Sequence, residues 1–275
     1  MCTINGCGPQ KPMSPINLSG SDRRAFLAGA ISLPLATVLA FPELAKAQSA
    51  NLADVRIATP SGGEALGVIA MPAKLPAPTV VLIHEWWGLN DQIKAVAAEL
   101  ANLGYIALAI DLFGGEVATT GAGARALIGA MDSGAATEQL ATAIGYLRGL
   151  DGSNGKVGTV GWCFGGGWSL NASIAAPVDA TVIYYGRVTP PASDLQNLAG
   201  PVLGHFATQD GFINRDMVGG FESEMAKAGK TDALEVHWYD AHHAFANPTG
   251  SRYDEEDAAL AWERTIEFFA KNLKV

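Results

Sequence analysis

Hydrophobic and polar positions fall into two alternating periods along most of this chain. Residues 79–83 and 105–110 are short runs made almost wholly of apolar side chains. That pattern predicts strands covered on both faces of a parallel sheet. Residues 156–160, 179–184, 201–207 and 234–239 predict four more strands. Between them the apolar period lengthens to that of a helix. Ile93, Val96, Ala97 and Leu100 share one face behind a capping Asn90 or Asp91, and Gly104 ends that helix. Leu140, Ala143, Ile144 and Leu147 do the same within residues 135–150. Residues 214–228, closed by Gly229, form another helix. The chain ends on an amphipathic helix over residues 255–273, with Leu260, Trp262, Ile266, Phe269 and Leu273. Ahead of all this, residues 54–59 alternate and predict an edge strand. Ser61-Gly62-Gly63 turns it into a returning strand at 65–71. Residues 116–132 and 186–199 carry no firm period; the first can hold a short helix around 122–131, and the second is a loop. Strands alternating with helices predict a single α/β domain over residues 48–275, a doubly wound, mostly parallel sheet with helices on both faces.

Residues 1–47 break the pattern. Arg23-Arg24-Ala25-Phe26-Leu27 opens a mostly apolar stretch that reaches Phe41, and Ala45-Lys46-Ala47 offers small residues around a cleavage point. This resembles a twin-arginine export signal, cut after Ala47, with an ordinary secretory signal and a retained anchor as weaker readings. Gly29 and Pro34 interrupt the run, which is shorter than the ~20 apolar residues that span a bilayer. No stable membrane anchor is expected. The expected location is periplasmic or extracellular, with the export machinery as a transient partner.

That reading changes the accounting. The chain has 275 residues, with 18 basic and 27 acidic side chains and a net charge of −9. The leader takes four basic and two acidic residues with it, so residues 48–275 carry −11. Such a charge argues against nucleic-acid binding. Two of the three cysteines, Cys2 and Cys7, leave as well, and Cys163 stays as the only thiol. No internal disulfide can then form, and no cysteine cluster points to a metal. No metal or organic cofactor is implied.

Cys163 lies in Gly161-Trp162-Cys163-Phe164-Gly165-Gly166-Gly167, after a predicted strand and before a helix-forming run from Trp168. A nucleophile between glycines at a strand-to-helix turn is the context of the G-x-S-x-G elbow, here with cysteine for serine. The turn also sets the sulfur at a helix N-terminus, where a thiolate is favoured. A buried cysteine beside a glycine-rich loop is the plain alternative. Two other chemically useful residues follow predicted strands. Asp210 comes 47 residues later, and His243 another 33. Nucleophile, acid, histidine is the chain order of the α/β-hydrolase triad. Asp210 could instead cap a turn, and His242 competes with His243. His84-Glu85-Trp86-Trp87, after the strand at 79–83, sits where α/β sheets place ligands. Glu85 could there be only a solvated loop carboxylate, and Trp86 and Trp87 could be packing.

With Asp111-Leu112-Phe113-Gly114, Tyr184-Tyr185-Gly186, Gln209-Asp210, His237-Trp238-Tyr239 and His243-Ala244-Phe245, these motifs resemble the dienelactone hydrolase family in order and spacing. The resemblance covers residues 80–273. It implies an α/β-hydrolase fold and hydrolysis of small carboxylic esters, lactones or thioesters. Cys163 would be the nucleophile, His243 the base, and Asp210 its orienting acid. Glu85 would contact the resting thiol and govern its activation. The backbone N–H groups of Phe164 and Trp86 would form the oxyanion hole. Asp111 would be structural. Trp87 and Asn247 fall on the substrate side, where Asn247 replaces a family arginine that holds the substrate carboxylate. Arg125 is the only arginine within 118–131 to stand for the other. A small neutral substrate is therefore expected. Activity is expected to need neutral His243 and to fall on the acidic side of neutrality. A non-catalytic ligand-binding or thiol-sensing protein on the same fold, and an acyl transferase, are the competing functions.

Overall fold

A computed structural model describes residues 16–274. Cys2, Cys7 and Lys11, assigned to the leader, lie outside the described residues. Eight strands form one sheet: β1 (Ala53–Ala58), β2 (Glu64–Ala70), β3 (Ala77–Ile83), β4 (Ile106–Asp111), β5 (Ser153–Trp162), β6 (Ala180–Tyr184), β7 (Val202–Ala207) and β8 (Leu234–Tyr239). Their order is β1-β2-β4-β3-β5-β6-β7-β8. Only β2 runs against its neighbours, pairing antiparallel with β1 and β4, and every other pair is parallel. The helices are α1 (Gly20–Leu27), α2 (Leu35–Ala40), α3 (Pro42–Gln48), α4 (Asp91–Asn102), α5 (Gly121–Ala130), α6 (Ser133–Gly149), α7 (Phe164–Ala175), α8 (Ala192–Leu195), α9 (Arg215–Lys227) and α10 (Glu255–Leu273). This is the expected mostly parallel α/β architecture.

The unbroken apolar runs have a direct cause. Val80 and Leu82 of β3 enter a core layer with Val96 and Leu100 of α4 and with Phe269 of α10. Val81 and Ile83 enter the opposite layer with Leu140, Ile144 and Leu147 of α6. Both faces of the strand are covered, so no position is left for a polar side chain. A third layer joins α9 to β7 through Val218, Phe221, Met225, Val202 and Phe206. Asn90 is the cap that opens α4, its Oδ1 accepting from Ile93 N–H at 3.2 Å.

Three local differences separate the structure from the sequence-based expectation. α7 starts at Phe164, four residues before Trp168, so three successive glycines lie in its first turn. Glycine weakens a helix, but close packing requires it here. A Cβ on Gly165 would sit 2.2 Å from the Ile83 carbonyl oxygen, and one on Gly161 would sit 2.0 Å from the Gly165 carbonyl oxygen. Gly165→Ala is accordingly expected to destabilise the fold by about 3 kcal/mol, measured by denaturant unfolding; an unchanged midpoint would contradict this packing. The second difference is α8, a single turn in the loop at 186–199. The third lies in the N-terminal segment. Val38, Leu44 and Ala45 are fully buried against Ala95 of α4. Gln92 Nε2 donates to Leu39 O at 3.0 Å, and Gln48 Nε2 donates to Ala95 O at 3.2 Å. Arg23 pairs with Glu43 at 2.6 Å. Among the described residues no helix is long and apolar enough to cross a membrane.

Candidate active site

The ends of β3, β5, β6, β7 and β8 converge on one cavity. β5 delivers Cys163 at φ 54°, ψ −112°, a conformation L residues rarely hold. Its N–H donates to Tyr184 O at 3.0 Å, tying the elbow to β6. The glycines at 161 and 165 are what let strand and helix close around it.

The loops after β7 and β8 supply the partners. His243 Nε2 lies 3.1 Å from Cys163 Sγ. His243 Nδ1 lies 2.5 Å from Asp210 Oδ2. The other carboxylate oxygen, Oδ1, accepts from Phe212 N–H at 2.8 Å and Ile213 N–H at 3.1 Å. Asp210 is therefore both a turn cap and the carboxylate on His243, and the two readings of the sequence are joined in one residue. His243 rather than His242 reaches the sulfur. Burial disfavours the Asp210 anion, but the bond and charge of His243 and the two backbone N–H groups outweigh it and hold its pKa below the ordinary value. Burial likewise disfavours a charged His243. The negative charge at Cys163 and the Asp210 carboxylate outweigh that too, and raise the imidazole to about 10. The charges around the ring thus favour the imidazolium, where the sequence reading expected a neutral His243.

Glu85 is buried after β3, and its Oε2 accepts from Asn247 Nδ2 at 2.7 Å. The sulfur is held by His243, and no hydrogen bond joins it to Glu85 among the described residues. Asn247 is itself fixed, its Oδ1 accepting from Thr249 N–H at 3.0 Å and Thr249 Oγ1–H at 2.8 Å. Burial raises the Glu85 pKa, opposed by the Asn247 bond and the charges of His243 and Arg252. A carboxyl pushed toward neutrality repels a nearby thiolate less. His84 accepts from Leu112 N–H at Nε2 (3.1 Å), which leaves its Nδ1–H to donate to Glu85 O at 2.6 Å. It is a fully satisfied core histidine, held neutral by burial. Asp111 accepts from Phe113 N–H at 2.9 Å and from Gly115 N–H, and so closes the turn after β4.

The cavity encloses about 1410 Å³, and Glu85, Trp86, Trp87, Phe164 and Asn247 line it together with Cys163 and His243. Phe164 is the first residue of α7, where backbone N–H groups have no partner within the helix. Tyr185, which entered the sequence reading only within the Tyr184-Tyr185-Gly186 motif, is fully buried, its ring centroid is 5.2 Å from that of His243, and its hydroxyl has no hydrogen-bond partner among the described residues. Three other lining residues carried no signal of their own in the sequence. Arg187 and Arg252 line the same cavity, as Arg125 does, and Nη1 of Arg252 is buried without a partner. Guanidinium groups thus reach the cavity from α5 and from two loops, beside the Asn247 on which the expectation of a neutral substrate was built. Phe212, an exposed side chain, is the third.

The profile of the dienelactone hydrolase family matches residues 66–273. The chain belongs to the dienelactone hydrolase family. It is a hydrolase on that ground. A carboxymethylenebutenolidase of Pseudomonas putida is 34% identical over 218 residues, covering 74% of this chain and 89% of the relative. Carboxymethylenebutenolidase 1 of Cupriavidus pinatubonensis is 27% identical over 226 residues, covering 78% and 95%. Among solved structures, a dienelactone hydrolase-like promiscuous phosphotriesterase from metagenomic libraries superposes with a TM-score of 0.69 at 24% identity, covering 81% of this chain and 99% of that one. That likeness bears on the fold, which is the α/β-hydrolase fold.

Proposed function

We propose that this dienelactone hydrolase family member cleaves small carboxylic esters, lactones or thioesters through a covalent acyl-cysteine. The observation that carries the reading is the unbroken line Cys163 Sγ, His243, Asp210, at 3.1 Å and 2.5 Å. The Cys163 thiolate attacks the substrate carbonyl carbon, and the electron pair of the C=O bond moves onto its oxygen. The Phe164 and Trp86 N–H groups receive that charge. The tetrahedral adduct collapses, and the His243 imidazolium gives its Nε2 proton to the departing alkoxide or thiolate. A water, deprotonated by the now neutral His243, attacks the thioester. Collapse releases the carboxylic acid and restores the thiolate and imidazolium. Asp210 holds Nδ1 throughout. Glu85, clamped by Asn247, sets the charge felt by the sulfur.

The carboxymethylenebutenolidase relatives support lactones as one substrate class. Brief incubation with p-nitrophenyl acetate, followed by mass spectrometry of proteolytic fragments, is expected to place one acetyl group on Cys163. Acetylation confined to lysines, with hydrolysis still running, would refute the mechanism. We further propose that residues 1–47 act as a twin-arginine-type export signal, supported by Arg23-Arg24 and Ala45-Lys46-Ala47. N-terminal sequencing of protein recovered from the periplasm or medium is expected to begin at Gln48.

A further inference from the structure

The cavity is much longer than the reaction centre. Drug-sized ligands occupy clefts of about 300–1,000 Å³, and this one encloses about 1410 Å³. The excess lies along the outer face of α7. Gly167, Trp168, Asn171, Ile174 and Ala175 all line it, and their spacing keeps them on one side of the helix. At about 1.5 Å per residue the lined strip runs ~12 Å from Gly167 to Ala175, and ~18 Å from Cys163. One wall is α5, through Ala122, Arg125 and Ile128, spaced three apart; the other is the loop before α8, through Thr189 and Pro190. The lining surface is mostly apolar. A simple lactone ring would fill only the first turn of this groove. Nothing in the reaction at Cys163 requires the rest.

We propose that the groove over α7 is an extended subsite for the acyl arm of the ester, a largely apolar chain or fused-ring group of about eight carbons or more, and so sets the substrate class. The inference rests on the acyl-cysteine reading above. It gives the distal residues a role in selecting substrates and none in the bond-breaking steps. Asn171 and Ala175 are exposed on the floor of the groove, at its middle and its far end. Filling either position leaves the sheet and the elbow untouched.

The test is a series of p-nitrophenyl esters from acetate to decanoate, below their aggregation concentrations, with kcat/KM measured for the native chain, Asn171→Trp and Ala175→Trp. A buried methylene favours transfer from water enough that, even in a half-open groove, octanoate is expected to exceed acetate by at least about tenfold. Asn171→Trp is expected to move the preferred chain length to shorter esters, and Ala175→Trp to move it less, in order of distance from Cys163. Circular dichroism of both variants reports whether they fold. A native enzyme that prefers acetate, or variants that keep the native octanoate-to-acetate ratio, would overturn the extended subsite while leaving Cys163-dependent acetate hydrolysis intact. Failure of every ester, acetate included, would instead remove the acyl-cysteine reading and the subsite with it.

Discussion

Cys163→Ala is expected to lower kcat/KM for activated esters by about 10⁴-fold or more, on the scale seen when a triad nucleophile is removed. The methyl group offers no electron pair, so only the oxyanion donors and binding contacts remain to speed attack by water. The same substitution should be visible without substrate. The charge at Cys163 does most to raise the His243 imidazole to about 10. Without it, burial acts against the imidazolium with only Asp210 in opposition, and the His243 titration moves down toward its ordinary value of about 6.5. A histidine NMR titration of the native and variant proteins checks this. An unmoved His243 together with full activity would show that the sulfur is not the nucleophile.

Asp210→Asn is expected to cost about 10⁴-fold in kcat near neutrality, as when the acid of a serine triad is made an amide. The geometry explains the severity. Oδ1 of Asp210 already accepts from two backbone N–H groups. An amide keeps its oxygen there, and its NH₂ then points at His243 Nδ1. Nδ1 must become an acceptor, and the imidazole is left neutral with its proton on Nε2. Retention of the native rate would sink the role of Asp210. The pH dependence follows with its sign. His243 has a raised pKa, so its stabilising interaction is complete below about 6.5 and is lost as pH rises through about 10. Asp210 has a lowered pKa, so its contribution is complete above about 3.9 and is lost as pH falls through its folded value. Thiolate-dependent acylation is thus expected to stay flat through neutrality and to fail on the alkaline side near 10, in place of the fall below neutrality that an isolated histidine base would give. Single-turnover acylation rates between pH 5 and 10.5 measure it.

Most elements were readable because their causes are local. The apolar runs at 79–83 and 105–110 are strands buried on both sides, and Asn90 and Gly104 bound α4 where their side-chain chemistry predicts. The start of α7 was not readable. Three glycines argue against a helix by propensity, and only backbone distant along the chain explains them: Ile83 O, 82 residues before Gly165, and Tyr184 O beside Gly166. Arg252 was equally hidden: it lies in a segment without periodicity, and it matters through the cavity it faces.

From the sequence alone came the order of the strands' chemistry: a cysteine at a glycine elbow, then an acid, then a histidine, on an α/β sheet. Period, turn chemistry and motif order are properties of neighbours along the chain, and a sequence records them. The tertiary structure decided which histidine meets the sulfur, that Glu85 is hydrogen-bonded to Asn247, and that the surroundings of His243 raise its pKa. It also decided that three arginines and the outer face of α7 line the cavity that holds the thiol. Those depend on side chains brought together from as far as 162 residues apart and on the water their packing excludes, and neither distance nor burial is written in the local pattern.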